Sequence, residues 1–504
     1  GMLLSLQKEL REGGWKVTVA VDYLGQVIAV NPGFKESLCG LAVDVGSTTV
    51  AAHLCNLRTG EVLASAGMMN PQIRFGEDLM SRVSYVMMHP DGDAEMTKVI
   101  RETINELAEN VAAKANRQLD EIVEVTFVGN PIMHHLLLGI SPLELGGAPF
   151  ALATDESVRI RARDLKLTLH TNTRCYVLPC IAGHVGADTA GMILSEAPHK
   201  REAITLLVDI GTNAEIVLGN KERLLAASSP TGPAFEGAQI TCGQRAAPGA
   251  IERVRIDRKT LEPKFKIIGC DLWSDEIGFS KQTKKTGITG ICGSGIIEAI
   301  AEMYLAGVLT QDGVINGSFA EKSERIVSED RTFSYILHDG EQHIHISQND
   351  VRAIQLAKAA LYAGIRLLME RLGIESVDRI RLAGAFGNHI EPKFAMILGL
   401  IPDCNLKQVS SAGNAAGTGA RIALLNHESR NEIEEVVRQV EKVETAVETN
   451  FQQHFVNAMA LPHKIDKFPN LAKEVELPAD NMSENTYENA TPTAKRRRRK
   501  TTNS

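Results

Sequence analysis

The chain has 504 residues, 44% of them hydrophobic and 23% charged, which is enough for two to four domains and a sizeable core. The formal net charge is −8, but the run 495–500, KRRRRK, supplies six positive charges, so the rest carries −14 and does not look like a nucleic-acid binder. Aromatics at 5% disfavour a carbohydrate or base-stacking surface, no apolar run is long enough to span a bilayer, and the amphipathic, acid-bearing start is not a signal peptide.

The eight cysteines (39, 55, 175, 180, 242, 270, 292 and 404) form no C-x-x-C pair. Their dispersal points to reduced cytoplasmic thiols and gives no iron–sulfur ligand spacing. Gly1-Met2 reads as an expression scar, so a native chain extending further upstream is left open.

In chain order, 3–11 reads as a short amphipathic helix, followed by alternating strands at 15–21 and 26–30. Residues 2–38 are expected to be a linker or small adaptor. At 41–53, LAVDVGSTTVAAH is a hydrophobic strand, an acid, a glycine with hydroxyls, and a second strand. A turn of this kind can aim the N–H and hydroxyl groups of Gly46, Ser47, Thr48 and Thr49 at a phosphate, while Asp44 holds hydrated Mg²⁺. A third strand is expected over 61–68, a polar loop over 70–78, and helices over 79–88 and 94–115. The strand 122–128 ends in Gly129-Asn130, where α/β sheets bind ligands. On the next helix His134 and His135 face different ways, which favours packing or surface roles over a shared metal.

A strand over 174–179 precedes 180–195, CIAGHVGADTAGMILS, read as a helix whose small residues admit a second backbone. His184 and Asp188 are four apart and are expected to share its face, with Asp188 either near a metal-bound water or in a surface pair. The stretch 206–218, LLVDIGTNAEIVL, repeats the first hairpin, with Asp209 before Gly211, Thr212 and Asn213. Two such hairpins suggest two similar halves facing one nucleotide. The Gly- and Pro-rich loop that follows holds Glu236, a candidate for positioning water, with surface capping the alternative. Gly293, Ser294 and Gly295 open a helix able to take a phosphate or ribose. Ser347 and Asp350 resemble a capping box ahead of a helix over 350–372. The strand 379–383 ends in Gly384-Ala385-Phe386-Gly387, a turn with room for a flat base or a ribose. A second small-residue helix spans 413–425, and the valines of 427–450 mark a charged amphipathic helix. From about 457 the pattern reads as extended, then disordered, with the basic run in a solvated tail.

The ordered set DVGSTT (44–49), PCIAGHVGADTAG (179–191), DIGTN (209–213), LAGAFG (382–387) and GNAAGTGA (413–420) resembles the superfamily of sugar kinases, actin and the large heat-shock chaperones. That resemblance implies an α/β fold with two actin-like lobes, each of ribonuclease H-like type, and ATP with Mg²⁺ between them. The expected division is a first lobe at 40–200, a second at 201–426, the 427–450 helix, and a tail at 451–504. The stretches FGEDLMSRV (75–83), VGNPIMHHLLLGI (128–140), GPAFEGAQITCGQRAAPGAIE (232–252) and GICGSGIIEAIAEM (290–303) look closer still to the reductive activators of corrinoid proteins.

Members of that family couple ATP hydrolysis to the uphill return of a Co(II) corrinoid to Co(I) on a corrinoid protein or corrinoid-dependent methyltransferase. The resemblance then implies catalytic roles for Asp44, Asp209, Glu236 and Asp188, and an adenosine site at 384–387 with 293–295. It implies an electron donor; composition and charge favour a cytoplasmic protein with no membrane or nucleic-acid partner, and a homodimer is left open. The family's N-terminal [2Fe–2S] domain has no counterpart here, so the cluster is expected on an upstream domain or a separate partner. Three rival readings remain: a small-molecule kinase with Asp188 or Glu236 as base, a non-catalytic ATP-gated scaffold, and a radical-dehydratase activator, which the missing paired cysteines disfavour.

Overall fold

The computed structural model describes residues 2–76, 78–387 and 389–478. Two six-stranded sheets organise it. The first runs, from edge to edge, Val62–Met69, Thr49–Asn56, Cys39–Val45, Ile122–Gly129, Arg174–Val177 and Val158–Arg161. The second runs Leu224–Ser229, Ala214–Gly219, Thr205–Ile210, Arg379–Ala383 and Val409–Gly413, with the short Glu441–Lys442 beyond Leu224–Ser229.

Both sheets pair their first three strands antiparallel, and both set the next two parallel to the central strand. The same order built twice is the duplicated α/β architecture that the paired hairpins suggest. The central strands Cys39–Val45 and Thr205–Ile210 are buried on both faces apart from their acids, because helices cover each side. A mixed region between Ala250 and Ser347 adds two three-stranded sheets to the second lobe.

The lobes are joined by two helices, Ala187–Glu196 and Ala415–Leu425. A Cβ on Gly419 would lie 2.0 Å from the carbonyl oxygen of Gly191, so only glycine permits this crossing. Ala190, Ala416, Ala420 and Ala423 complete a cluster that also takes Val128 from the first sheet and Leu207 from the second. Thr126 on the first sheet donates to the Ala420 carbonyl at 2.8 Å.

Several elements differ from the sequence expectation. The small-residue segment becomes helical only at Ala187; residues 181–185 form a turn closed by an Ala182–Val185 bridge. His184 therefore does not share a helix face with Asp188. It lies 3.5 Å from Glu444 and packs on Phe150. The amphipathic helix stops at Gln439, and the chain then adds Glu441–Lys442 to the second sheet. That helix docks on the first lobe, where Glu434 accepts from Tyr176 at 2.9 Å and Arg430 pairs with Glu124.

The segment expected to be extended beyond 457 is instead folded onto the second lobe as far as the description goes, with Leu461, Phe468 and Leu471 buried. The buried Lys358 fixes it by donating to the carbonyls of Ala460 and Pro462, and Gln355 donates to that of Met459. The basic run lies outside the described residues. His134 and His135 are both buried, and His135 donates to the Pro131 carbonyl at 2.9 Å and accepts from the Ala153 N–H. Among the described residues no helix is long and apolar enough to cross a membrane.

Candidate functional site

The acids of the two hairpins interact across the crevice between the lobes. Asp44 ends the central strand of the first lobe and Asp209 holds the equivalent place in the second. Asp188 enters from the first turn of the hinge helix. Burial, the charge of Asp188 and a partly offsetting hydrogen bond from Asn414 leave the Asp44 carboxyl at about 7. Burial, Asp188 and Asp44 push Asp209 up to about 7 as well. Burial lifts Asp188 to about 6, even though hydrogen bonds from Thr189 oppose the rise. Acids from both lobes thus feel one another across the crevice, which is the condition a shared cation would relieve.

A fourth acid joins them. Glu215 stands directly opposite Asp209 in the second hairpin. Burial, Asp188 and Asp209 hold its pKa well above the ordinary value. Like charges opposite one another weaken a sheet, so this pair is a local cost that folding alone does not explain. The register of the hairpin, two residues either side of a short turn, was the signal that could have found Glu215. In the first hairpin the equivalent neighbour of Asp44 is Ala51, so the arrangement is one-sided.

The glycine positions are steric requirements. Gly384 has φ +81°, and a Cβ there would sit 2.1 Å from Asp209 Oδ1. A Cβ on Gly46 would meet the Thr49 carbonyl at 2.4 Å, and one on Gly186 would press on Asn130, Gly129 and Asp188 together. Gly129 and Asn130 therefore do lie beside the acids, although the Asn130 side chain is committed to capping the Pro131–Leu138 helix. In the second turn Gly211 and Thr212 carbonyls accept from Thr231, and the Thr212 hydroxyl donates to Glu236 at 3.0 Å. Asn213 completes that turn before the Ala214–Gly219 strand. Glu236 is thereby tied to the second turn.

Across the second lobe, Gly293 meets the ring of Phe386, with a Cβ there only 2.3 Å from Phe386 Cε2. Phe386 in turn stacks on Phe235 at 5.7 Å between centroids. Gly384, Ala385, Phe386 and Gly387 form one short helical turn directly after the Arg379–Ala383 strand. Ser294 and Gly295 are used differently from Gly293. The Ser294 hydroxyl lies 3.4 Å from Cys292 Sγ, and Gly295 packs on the Ile251 backbone. Asn414, missed from sequence, bonds Asp44 from the opposite lobe while capping its own helix, and only the folded chain brings positions so far apart together.

The residues suit a hydrated divalent cation. Among the described residues no three His, Cys, Asp or Glu side chains converge to ligate a metal directly, whereas half-buried carboxylates of raised pKa suit water-mediated contact. An iron–sulfur cluster does not fit them: the eight cysteines are free and scattered, seven of them buried.

Two hinged lobes of one topology around an acid-lined crevice define an actin-like domain of the ASKHA type. Residues 203–472 match the family model described as the C-terminal, ASKHA domain of RACo, and residues 39–201 match the RACo middle region. The chain belongs to the RACo family. It is 34% identical over 438 residues to the corrinoid activation enzyme RamQ of Eubacterium limosum, spanning 84% of this chain and 71% of that protein. It is 26% identical over 422 residues to the [Co(II) methylated amine-specific corrinoid protein] reductase of Methanosarcina barkeri, spanning 80% and 72%. The solved structure of a reductive activator for corrinoid, iron–sulfur protein superposes with a TM-score of 0.79 at 34% identity, covering 92% of this chain and 73% of that one.

Proposed function

We propose that the chain uses ATP binding and hydrolysis to drive the return of a Co(II) corrinoid to Co(I) on a partner corrinoid protein. The observation that carries this reading is the meeting of Asp44, Asp188 and Asp209 from two lobes in one crevice, in a chain of the RACo family. In this reading the turns 46–49 and 211–213 bind the β- and γ-phosphates through N–H and hydroxyl groups. Asp44 and Asp209 hold Mg²⁺ through its waters, and the ion supplies charge neutralisation of the phosphates. Gly293 with the 384–387 turn takes the adenosine. Glu236, held by Thr212, orients the attacking water, and Asp188 accepts its proton.

Nucleotide favours the closed arrangement of the lobes and so shifts their populations, with a few kcal/mol available from differential binding. Closure presents the partner with a surface that alters its cobalt ligation and eases reduction. Hydrolysis reopens the crevice and releases the partner. The electron comes from a donor outside the described residues, and the dispersed cysteines favour a cytoplasmic setting.

The test is spectroscopic. The chain is mixed with a Co(II) corrinoid protein and a low-potential reductant, with and without MgATP. Growth of the Co(I) band only when MgATP and the chain are both present is expected. An equal Co(I) yield without nucleotide contradicts the proposal.

A further inference from the structure

Three consecutive carbonyls of the first turn are held by buried residues of the first lobe. Asn70 Nδ2 donates to the Gly46 carbonyl at 2.9 Å, Arg82 Nη2 donates to that of Ser47 at 2.5 Å, and the Asn70 N–H donates to that of Thr48 at 2.9 Å. In a trans peptide the C=O and the following N–H point in opposite directions. Tying back the Gly46 and Ser47 carbonyls therefore turns the Ser47 and Thr48 N–H groups toward the crevice. Among the described residues nothing accepts from either of those N–H groups.

Arg82 is the unusual member of this brace. It is fully buried, on the Leu79–Met88 helix. Its other donors go to the Gly76 carbonyl at 3.0 Å, Gln72 Oε1 at 3.3 Å and Met133 Sδ at 3.4 Å. Burial lowers the guanidinium to about 10, and the charge of Asp78 works against that fall. Burying a guanidinium is costly unless its donors are matched, and here one of them is spent on the turn. The second turn has no such feature: the Thr231 hydroxyl and the Gly232 N–H, both neutral, back its carbonyls.

We propose that Arg82 is the fixed positive charge behind the first turn and that it makes the Ser47–Thr48 amides a cradle for a polyphosphate anion. Arg82 is a positioning residue: it acts through the turn and through its field, without touching the anion. The inference rests on the nucleotide reading above for its choice of ligand, and the probes below separate the two.

Pyrophosphate and adenosine are titrated separately by calorimetry into the full chain and two variants. Arg82→Lys keeps the charge. Gln72→Glu places an isosteric carboxylate against Arg82 and offsets its charge without removing it. Pyrophosphate affinity is expected to stay within about threefold in Arg82→Lys and to fall at least about tenfold in Gln72→Glu, with adenosine binding unchanged in both. Undiminished pyrophosphate binding by Gln72→Glu, an equal loss in both variants, or a parallel loss of adenosine binding overturns the proposal. In the wild-type chain, amide exchange at Ser47 and Thr48 is expected to slow on adding pyrophosphate, and unchanged exchange overturns it whether or not the variants fold. A wild-type chain that binds pyrophosphate but not ATP would remove the nucleotide reading and leave the cradle standing.

Discussion

Gly419→Ala places a methyl group where the two hinge helices touch. The new Cβ would stand 2.0 Å from the Gly191 carbonyl oxygen and 2.4 Å from its Cα, whereas ordinary contact begins near 3.4 Å. The helices must therefore separate locally by roughly 1.4 Å, the shortfall against that contact. Overpacking of this kind costs about 1–3 kcal/mol. At about 2–4 °C per kcal/mol for units of 150–250 residues, the midpoint of thermal unfolding should fall by roughly 2–12 °C. Asp188 sits in the first turn of one of these helices, so a displacement of about 1 Å should also slow ATP turnover, by up to about 100-fold. The assay is thermal unfolding and phosphate release on the same preparations. Gly147→Ala is the control, since no atom lies within 4 Å of its Cβ position, and it should match wild type in both. Wild-type stability and turnover in Gly419→Ala would refute the close crossing of the hinge helices and the dependence of Asp188 on it.

Other outcomes follow from the same geometry. Gly384→Ala must adopt φ near +81° and push on Asp209 Oδ1, at about 1–2 kcal/mol for the backbone alone; calorimetry should show MgATP affinity at least about tenfold weaker, and unchanged affinity counts against the 384–387 turn. Asp209→Ala should abolish ATP turnover while near-native circular dichroism persists, and wild-type turnover would remove Asp209 from the site. Asp209→Asn relieves repulsion with Glu215 and Asp188, so the nucleotide-free chain should gain about 1 kcal/mol at pH 8 by denaturant unfolding, while a loss of stability would mean the acids are not in conflict. Asp44 and Asp209 near 7 hold protons in the folded chain that the unfolded chain has released above about 4. Stability of the nucleotide-free chain should therefore fall as pH rises from about 4 to 7, and MgATP should flatten that slope; a rise over the same window contradicts the raised carboxyls.

Much of the site could be read locally. Each hairpin carries its acid, glycine and hydroxyls within a few residues, and hydrophobic periodicity marks the strands around them. The small-residue stripes reveal a close crossing because Gly191 and Gly419 have no other evident use. What escaped the sequence is what depends on distance along the chain or on an exception to pattern. Asn414 meets Asp44 only after both lobes have formed. Arg82 reads as one more charge on an amphipathic helix, and only its burial behind Ser47 reveals it. His184 shared a spacing with Asp188 that would matter on a helix, but the turn at 181–185 removes the helix beneath it. The segment after 457 lacks a period because it is fastened by Lys358 and individual apolar contacts, which no repeat encodes.

The most direct test of the central claim is a crystal structure of the chain with Mg²⁺ and a non-hydrolysable ATP analogue. The phosphates are expected between the 46–49 and 211–213 turns, with water bridging Mg²⁺ to Asp44 and Asp209. A nucleotide held by one lobe alone, or bound away from both turns, would contradict it.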